Sequence, residues 1–363
     1  MEPCRDLNTY LNLGAEKLIA DILRATLKNP KETVFLQRYH KQQAQMEKRR
    51  LAYENEGVHI PLFLIASITG ACNLACKGCY ARANGLCSEK AAQDHLTASQ
   101  WDGIFDQAQE AGIPFVLLAG GEPFLRPDVL KAAAEHEGIL FPVFTNGTMV
   151  DKGMLDLLDR HRNIKPVISL EGGKAVTDAR RGDGVWELTQ KTLESLRERK
   201  LLFGVSLTVT TENIGEVTSP DFLQSLFETG CRMVFFIEYV PVAPGTEYLA
   251  LEDNDRERLE KAQDELREQF PGMIFLSFPG DEKQMGGCLA AGRGFFHINP
   301  SGGAEPCPFS PYSDISVKDH TLLQALGSPF FRKVRELNAR EESHAGGCAL
   351  FAKEAQVRGL LFP

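Results

Sequence analysis

The chain predicts an α/β fold: a parallel sheet with helices outside it, forming a partial barrel, with a helical extension before it and a small Gly-rich domain after it. Three observations lead there. Six short apolar runs alternate with amphipathic helical patterns between about residues 58 and 245. The runs are continuously apolar, as parallel strands covered on both faces require. The composition, 43% apolar and 25% charged over 363 residues, is that of an ordinary soluble chain long enough for two domains or one barrel with additions.

Taken in order, residues 1–58 read as the helical extension. Leu11, Ala15, Leu18, Ile22 and Thr26 fall near helical spacing, Asn29-Pro30 is a stop signal, and a polar, basic segment from Phe35 to Glu56 follows. This extension is expected to pack on the domain behind it. Strands are expected at Leu62–Ile68, Phe115–Ala119, Phe141–Thr145, Pro166–Leu170, Val205–Thr210 and Met233–Val240. The clearest helix starts at Thr97, where Thr97 and Gln100 form a capping box and Trp101, Ile104, Phe105 and Ala108 make the buried stripe. A Pro/Gly link at Pro241–Gly245 leads to a charged helix, Asn254 to Phe270, and Met273–Phe278 offers a further strand. The barrel is expected over 59–279 and the last domain over 280–363.

Composition excludes several function classes. A net charge of −9 argues against a sequence-independent grip on nucleic acid. No apolar run is long enough to span a bilayer, and the N-terminus has no secretion signal, so neither membrane nor export is expected. Nine cysteines, an odd number clustered around short motifs, fit metal ligation in a reducing cytoplasm better than disulfides.

The chemistry centres on Cys72-Asn-Leu-Ala-Cys76-Lys-Gly-Cys79-Tyr80, three cysteines at C-x3-C-x2-C just past the first strand. In such barrels chemistry gathers at the C-terminal strand ends. Thiolates suit iron–sulfur clusters or zinc, and three of them leave one position open. One strand–helix unit later comes Gly120-Gly121-Glu122-Pro123. Its glycines let the backbone approach a ligand, and Glu122 offers a carboxylate to a cationic amine; alone, the segment reads equally as a tight turn. Polar residues close later strands: Asn146 in Thr145-Asn146-Gly147, and Ser169 and Glu171 in Ser-Leu-Glu-Gly, with Arg180-Arg181 beyond. Each has a plainer reading as a turn residue or a solvated charge.

This order of motifs resembles the radical S-adenosylmethionine (SAM) superfamily over about residues 60–245. The resemblance implies a partial (β/α)6 TIM barrel and a [4Fe–4S] cluster on Cys72, Cys76 and Cys79. SAM's amino and carboxylate groups would take the fourth iron. It further implies that Gly120, Gly121, Glu122 and Pro123 bind the methionine amino group. Asn146, Ser169 and Glu171 would face ribose and methionine, Arg181 would lie near SAM's carboxylate, and Thr208 and Tyr239 near the adenine. Where many family members have an aromatic before the third cysteine this chain has Gly78, and Tyr80 is expected to fill that space. The implied reaction is reductive cleavage of SAM to a 5′-deoxyadenosyl radical that abstracts hydrogen from a small-molecule or peptide substrate. A low-potential donor such as flavodoxin or ferredoxin would supply the electron.

Cys288-x13-Gly302-x4-Cys307 reads as a hairpin bringing two thiolates together. It resembles the SPASM/twitch auxiliary domain, which holds a second [4Fe–4S] cluster, with Cys348 matching a third ligand. Where a fourth ligand is sometimes found, this chain has Ala349-Leu-Phe351. Either an iron stays open, or Cys87, His297 or His344 supplies the ligand. Cys87 also reads as an active-site thiol or an ordinary buried cysteine, and Cys4 and Cys231 as structural. Residues 1–58 do not look like a winged-helix leader-binding domain, which favours a small metabolite over a peptide. The rival class, a non-catalytic iron–sulfur or zinc protein, explains the cysteines but not the Gly-Gly-Glu-Pro segment or the polar strand ends.

Overall fold

The computed structural model describes residues 20–21, 29–88, 94–280, 282, 287–339 and 348–361. Strands β1 (Phe63–Thr69), β2 (Phe115–Gly120), β3 (Phe141–Thr145), β4 (Ile164–Leu170), β5 (Gly204–Val209), β6 (Met233–Glu238) and β7 (Ile274–Phe278) pair in parallel in sequence order. All six expected barrel strands are present within two residues at each end, and Met273–Phe278 is indeed a seventh. Strands β1, β3, β4 and β5 are buried on all but one or two residues each, which is why their sequences read as largely apolar runs.

The sheet continues on the other side of β1. Strand β8 (Phe295–Ile298) pairs with β1 in parallel, and β9 (Ala304–Glu305) turns back antiparallel on β8. The expected hairpin is therefore real, but the sheet runs through the boundary expected near residue 280. Side chains explain the attachment. His297 is 1% exposed, with Nδ1 on Glu305 Oε2 at 2.7 Å and Nε2 on Ser67 Oγ at 2.7 Å, so it ties β8 to both neighbours. With β7 and β9 at the two edges, the sheet curls until the Phe278 and Phe295 rings lie 5.5 Å apart across the gap, and Phe144 and Phe235 meet at 5.2 Å. The partial (β/α)6 barrel is borne out.

Helices cover the outside: α1 (Pro30–Asn55), α2 (Ala98–Ala111), α3 (Pro127–Glu135), α4 (Lys152–Arg160), α5 (Lys174–Arg181), α6 (Val185–Glu198), α7 (Pro220–Glu228) and α8 (Asp253–Gln269). The capping box of α2 forms as expected, with Thr97 and Gln100 exchanging bonds, and Trp101, Ile104, Phe105 and Ala108 are buried.

Asn29-Pro30 starts a helix. Asn29 is the N-cap of α1 and Pro30 its first residue, where a missing N–H costs nothing. The earlier pattern, Leu11 to Thr26, lies largely outside the described residues. Helix α1 packs as expected, against the N-terminal ends of the strands. Leu36 and Tyr39 sit in a cluster with Phe63, Phe115, Leu140, Leu202, Met233 and Ile274. Glu32, fully buried, accepts from Arg162 Nη1 at 2.7 Å and Lys165 Nζ at 2.5 Å. Burial alone would raise its carboxyl, but Lys165 and Arg162 hold it below the usual range. Helix α1 therefore covers the end of the barrel opposite the cysteine loop.

Candidate active site

The cysteine loop leaves β1 at its C-terminal end and is pinned from three sides. Towards β2, Gly121 N donates to Thr69 O at 2.7 Å and Glu122 N to Ala71 O at 2.8 Å. A Cβ at Gly120 would lie 2.3 Å from Thr69 O, and one at Gly121 2.1 Å from Ala71 O, so only glycine permits this approach. Towards β3, Asn146 Nδ2 donates to Asn73 Oδ1 at 2.8 Å while Asn73 Nδ2 donates to Thr148 Oγ1 at 2.8 Å. Towards α5, Lys77 N donates to Arg180 O at 2.8 Å and Arg180 Nε returns to Lys77 O at 3.2 Å.

The end of β4 organises the charge. Glu171 is buried, and its Oε1 accepts from Arg180 Nη1 at 2.5 Å and from Arg181 Nε at 2.8 Å and Nη2 at 2.5 Å. Asn213 Nδ2 bonds the carbonyls of Glu171 and Thr208, fixing the β4 and β5 ends together. Arg180 also donates to Thr208 Oγ1 at 2.7 Å and lies over the Tyr239 ring, 5.8 Å from its centroid. Burial works against the Arg181 charge, but Glu171 and the thiols of Cys76 and Cys79 outweigh it and keep the guanidinium protonated. Burial raises the Cys76 thiol, with Arg181 and Arg180 opposing. Cys72 falls to about 6, first because the Cys87 thiol hydrogen-bonds it, with further help from Leu74, Arg82 and Arg181 against burial.

Several expected residues are therefore together: Cys72, Cys76 and Cys79 with Arg181, Glu171, Thr208 and Tyr239. Others sit differently. The Glu122 side chain offers nothing to an amine: it is 0% exposed, and accepts from Thr145 Oγ1 at 2.7 Å, Phe124 N at 2.9 Å and Asn146 N at 2.7 Å. Burial lifts its carboxyl to about 7. It staples the turn after β2 to β3, with Pro123 buried in the short turn that follows. Ser169 accepts from Ser206 Oγ at 3.0 Å. Tyr80 packs edge-on against Phe309 at 4.9 Å and does not fill the space beside Gly78. Tyr239 does: Gly78 has φ +66°, and a Cβ there would lie 2.3 Å from Tyr239 Oη. An aromatic before the third cysteine has no room in this chain.

The second cysteine set also assembles. Cys288 precedes β8, Cys307 follows β9, and Cys348 leads a short helical turn, Ala349–Ala352. The Cys307 thiol donates to Cys348, which is the acidic partner of the pair, while burial and that pairing push Cys307 well above the ordinary thiol range. Cys288, driven up by burial, is close enough to interact with both. Cys87 does not belong here: Ser88 bridges to Ala71, and the Cys87 thiol lies on Cys72. His297 has both ring nitrogens engaged and is not a free ligand. Cys231 is fully buried and donates to Met233 O at 3.2 Å, a structural cysteine as expected. Cys4 and His344 lie outside the described residues. Tyr80 lies near members of both sets, with Cys79, Cys307 and Cys87 all acting on its hydroxyl.

No three His, Cys, Asp or Glu side chains among the described residues converge as ligands of one ion. The first loop nevertheless fits a larger open centre. Its three cysteines are free and partly exposed, and a buried guanidinium interacts with two of them. Two buried polar atoms nearby, Glu171 Oε2 and Tyr239 Oη, have no hydrogen-bond partner among the described residues. Buried orphans of this kind are places where a ligand completes the polar contacts.

Comparison with known proteins agrees. The model of the radical SAM superfamily matches residues 66–219. An AdoMet-dependent heme synthase of Methanosarcina barkeri is 26% identical over 304 residues, covering 76% of this chain and 85% of that protein. The mycofactocin maturase MftC of Mycobacterium tuberculosis is 27% identical over 335 residues, 84% of this chain and 78% of its own. The crystal structure of Streptococcus suis SuiB bound to S-adenosylmethionine superposes with a TM-score of 0.65 at 19% identity, covering 85% of this chain and 73% of that one, a likeness of fold. Residues 66–219, with the three-cysteine loop at the end of β1 and strands of the partial barrel, form a radical SAM domain, and the chain is a radical SAM enzyme.

Proposed function

We propose that the Cys72/Cys76/Cys79 loop carries the SAM-binding [4Fe–4S] cluster, that Cys288, Cys307 and Cys348 carry a second, auxiliary [4Fe–4S] cluster of SPASM/twitch type, and that the substrate is a small molecule. When bound, the first cluster and SAM supply reductive carbon–sulfur cleavage, giving methionine and a 5′-deoxyadenosyl radical that takes hydrogen from substrate. One observation carries the reading. A single buried carboxylate oxygen of Glu171 holds Arg180 and Arg181 against the cysteine loop, and its other oxygen has no partner.

In this reading Arg181 keeps positive charge beside the loop and opposes the burial that raises the Cys76 thiol. Glu171 Oε2 and Tyr239 Oη bind polar groups of SAM. Gly120 and Gly121 bring backbone close to its methionine portion, while Glu122 and Pro123 shape that turn from behind. Asn146 steadies the loop through Asn73. Ser169 and Thr208 line the nucleoside side. Tyr80 separates the two clusters. Residues 1–58, 59–279 and 280–363 serve as extension, barrel and auxiliary segment.

Support for a small-molecule substrate comes from α1, which lies at the opposite barrel end from the cysteine loop, away from any peptide entering there. The match to a heme synthase points the same way, and the match to MftC favours the second reading, a peptide. A low-potential donor such as flavodoxin or ferredoxin supplies the electron. No helix among the described residues is long and apolar enough to cross a membrane.

Anaerobic reconstitution tests the enzyme: about eight irons per chain and SAM-dependent release of 5′-deoxyadenosine are expected. A fully loaded chain that leaves SAM intact under strong reductant would sink the proposal. Deuterium transfer from labelled extract fractions into 5′-deoxyadenosine tests the substrate class. Transfer from the low-molecular-weight fraction is expected; transfer from the peptide fraction alone overturns it.

A further inference from the structure

The C-terminal cysteine set has three thiols, one fewer than the four irons of a cubane cluster. The chain's other described cysteines are committed elsewhere: Cys87 lies against Cys72, and Cys231 donates to Met233 O. His297 is committed to Glu305 and Ser67. One group remains. Glu282 lies just beyond the end of β7 and is 4% exposed. Its side chain is in hydrogen-bond contact with the Cys288 thiol, and its charge reaches Cys348. Its Oε1 is buried with no hydrogen-bond partner among the described residues. The backbone fixes its position, Glu282 N donating to Pro279 O at 2.9 Å and Gly287 N to Glu282 O at 3.0 Å.

A buried carboxylate oxygen without a partner is costly, and a carboxylate beside thiols loses them as donors once they are deprotonated. A cation between them resolves both problems. We propose that Glu282 is the fourth ligand of the auxiliary cluster, its carboxylate closing the iron that Cys288, Cys307 and Cys348 leave open; this rests on the auxiliary-cluster reading above. Ligation needs the ionised carboxylate, so the proton leaves as the iron binds. A cluster closed in this way has no site for direct substrate coordination, and its task is to carry electrons. The harder oxygen donor also tunes its reduction potential away from that of an all-thiolate cluster.

The test uses the full chain with Cys72→Ala, Cys76→Ala and Cys79→Ala, which leaves only the C-terminal site. After anaerobic reconstitution this parent is expected to hold about four irons, with an EPR spectrum on reduction that added cyanide does not change. Adding Glu282→Ala or Glu282→Gln is expected to open one iron. The reduced spectrum then shifts with cyanide, and mild oxidation yields a three-iron signal with about three irons per chain. Glu282→Cys is expected to keep about four irons and lower the midpoint potential, and it decides the matter if the other two variants fail to fold. Unchanged spectra, cyanide response and potential in the variants, on a parent that holds its irons, overturn the ligand assignment alone. A parent that holds no iron overturns the auxiliary cluster, and the ligand with it.

Discussion

The two cysteine sites are built on opposite electrostatic plans. Cys72, Cys76 and Cys79 lie within eight residues, partly exposed, with Arg82, Arg180 and Arg181 around them, and Cys72 is held as low as about 6. Cys288 and Cys307 are buried, come from opposite ends of a hairpin, meet Cys348 from a distant segment, and are driven well above the ordinary thiol range. A cationic, accessible loop suits a centre that must bind an anionic carboxylate and exchange ligands. A dry, carboxylate-flanked pocket suits a centre that stays closed. The contrast separates a place for chemistry from a place for storage.

The largest expected effect comes from removing the first site. Cys72→Ala/Cys76→Ala/Cys79→Ala should take 5′-deoxyadenosine release to background while leaving about four irons at the second, as counted by iron and sulfide assay. Next, Cys288→Ala/Cys307→Ala/Cys348→Ala should remove about four irons yet leave SAM cleavage running without product. Full iron retention there would erase the contrast. Arg181→Ala should slow cleavage roughly 10–100-fold, with Arg181→Lys recovering part of it, because the charge beside Cys76 and Cys79 is lost; an unchanged rate would show that Arg181 only braces Glu171. Smaller still, Gly78→Ala should cost about 1 kcal/mol in urea unfolding, since φ +66° and Tyr239 both oppose a side chain there.

Glu32→Gln should touch neither site's iron content or EPR spectrum. It should still cost about 3–5 kcal/mol by urea titration, because Lys165 is left buried without its partner. The depressed Glu32 carboxyl contributes stability that is present above the ordinary glutamate range and is lost as pH falls through its folded value. The parent should therefore lose part of its margin over the Gln variant in acid.

The same contrast governs what could be read from the chain itself. The first loop is contiguous and follows an apolar strand, so spacing alone located it. Strands β1 to β6 were equally legible, because burial on both faces leaves an uninterrupted apolar signature. Glu122 was misjudged because a carboxylate beside two glycines looks available in one dimension, and only the fold shows three donors closing on it. Cys87 sits eight residues past Cys79, and nothing in that spacing says the chain turns back onto Cys72. The pairing of β8 with β1 joins residues some 230 positions apart through His297 and Ser67, a contact without local pattern. Glu282 is a lone acid six residues before a cysteine, and its meaning comes only from the fold that buries it beside Cys288.

Helix α1 has one more consequence. By covering the strand starts with Leu36, Tyr39 and the buried Glu32 group, it gives the barrel a packed floor. In a reaction that generates a free radical such a floor is protective, because apolar packing of Leu36 and Tyr39 keeps solvent from the site on that side.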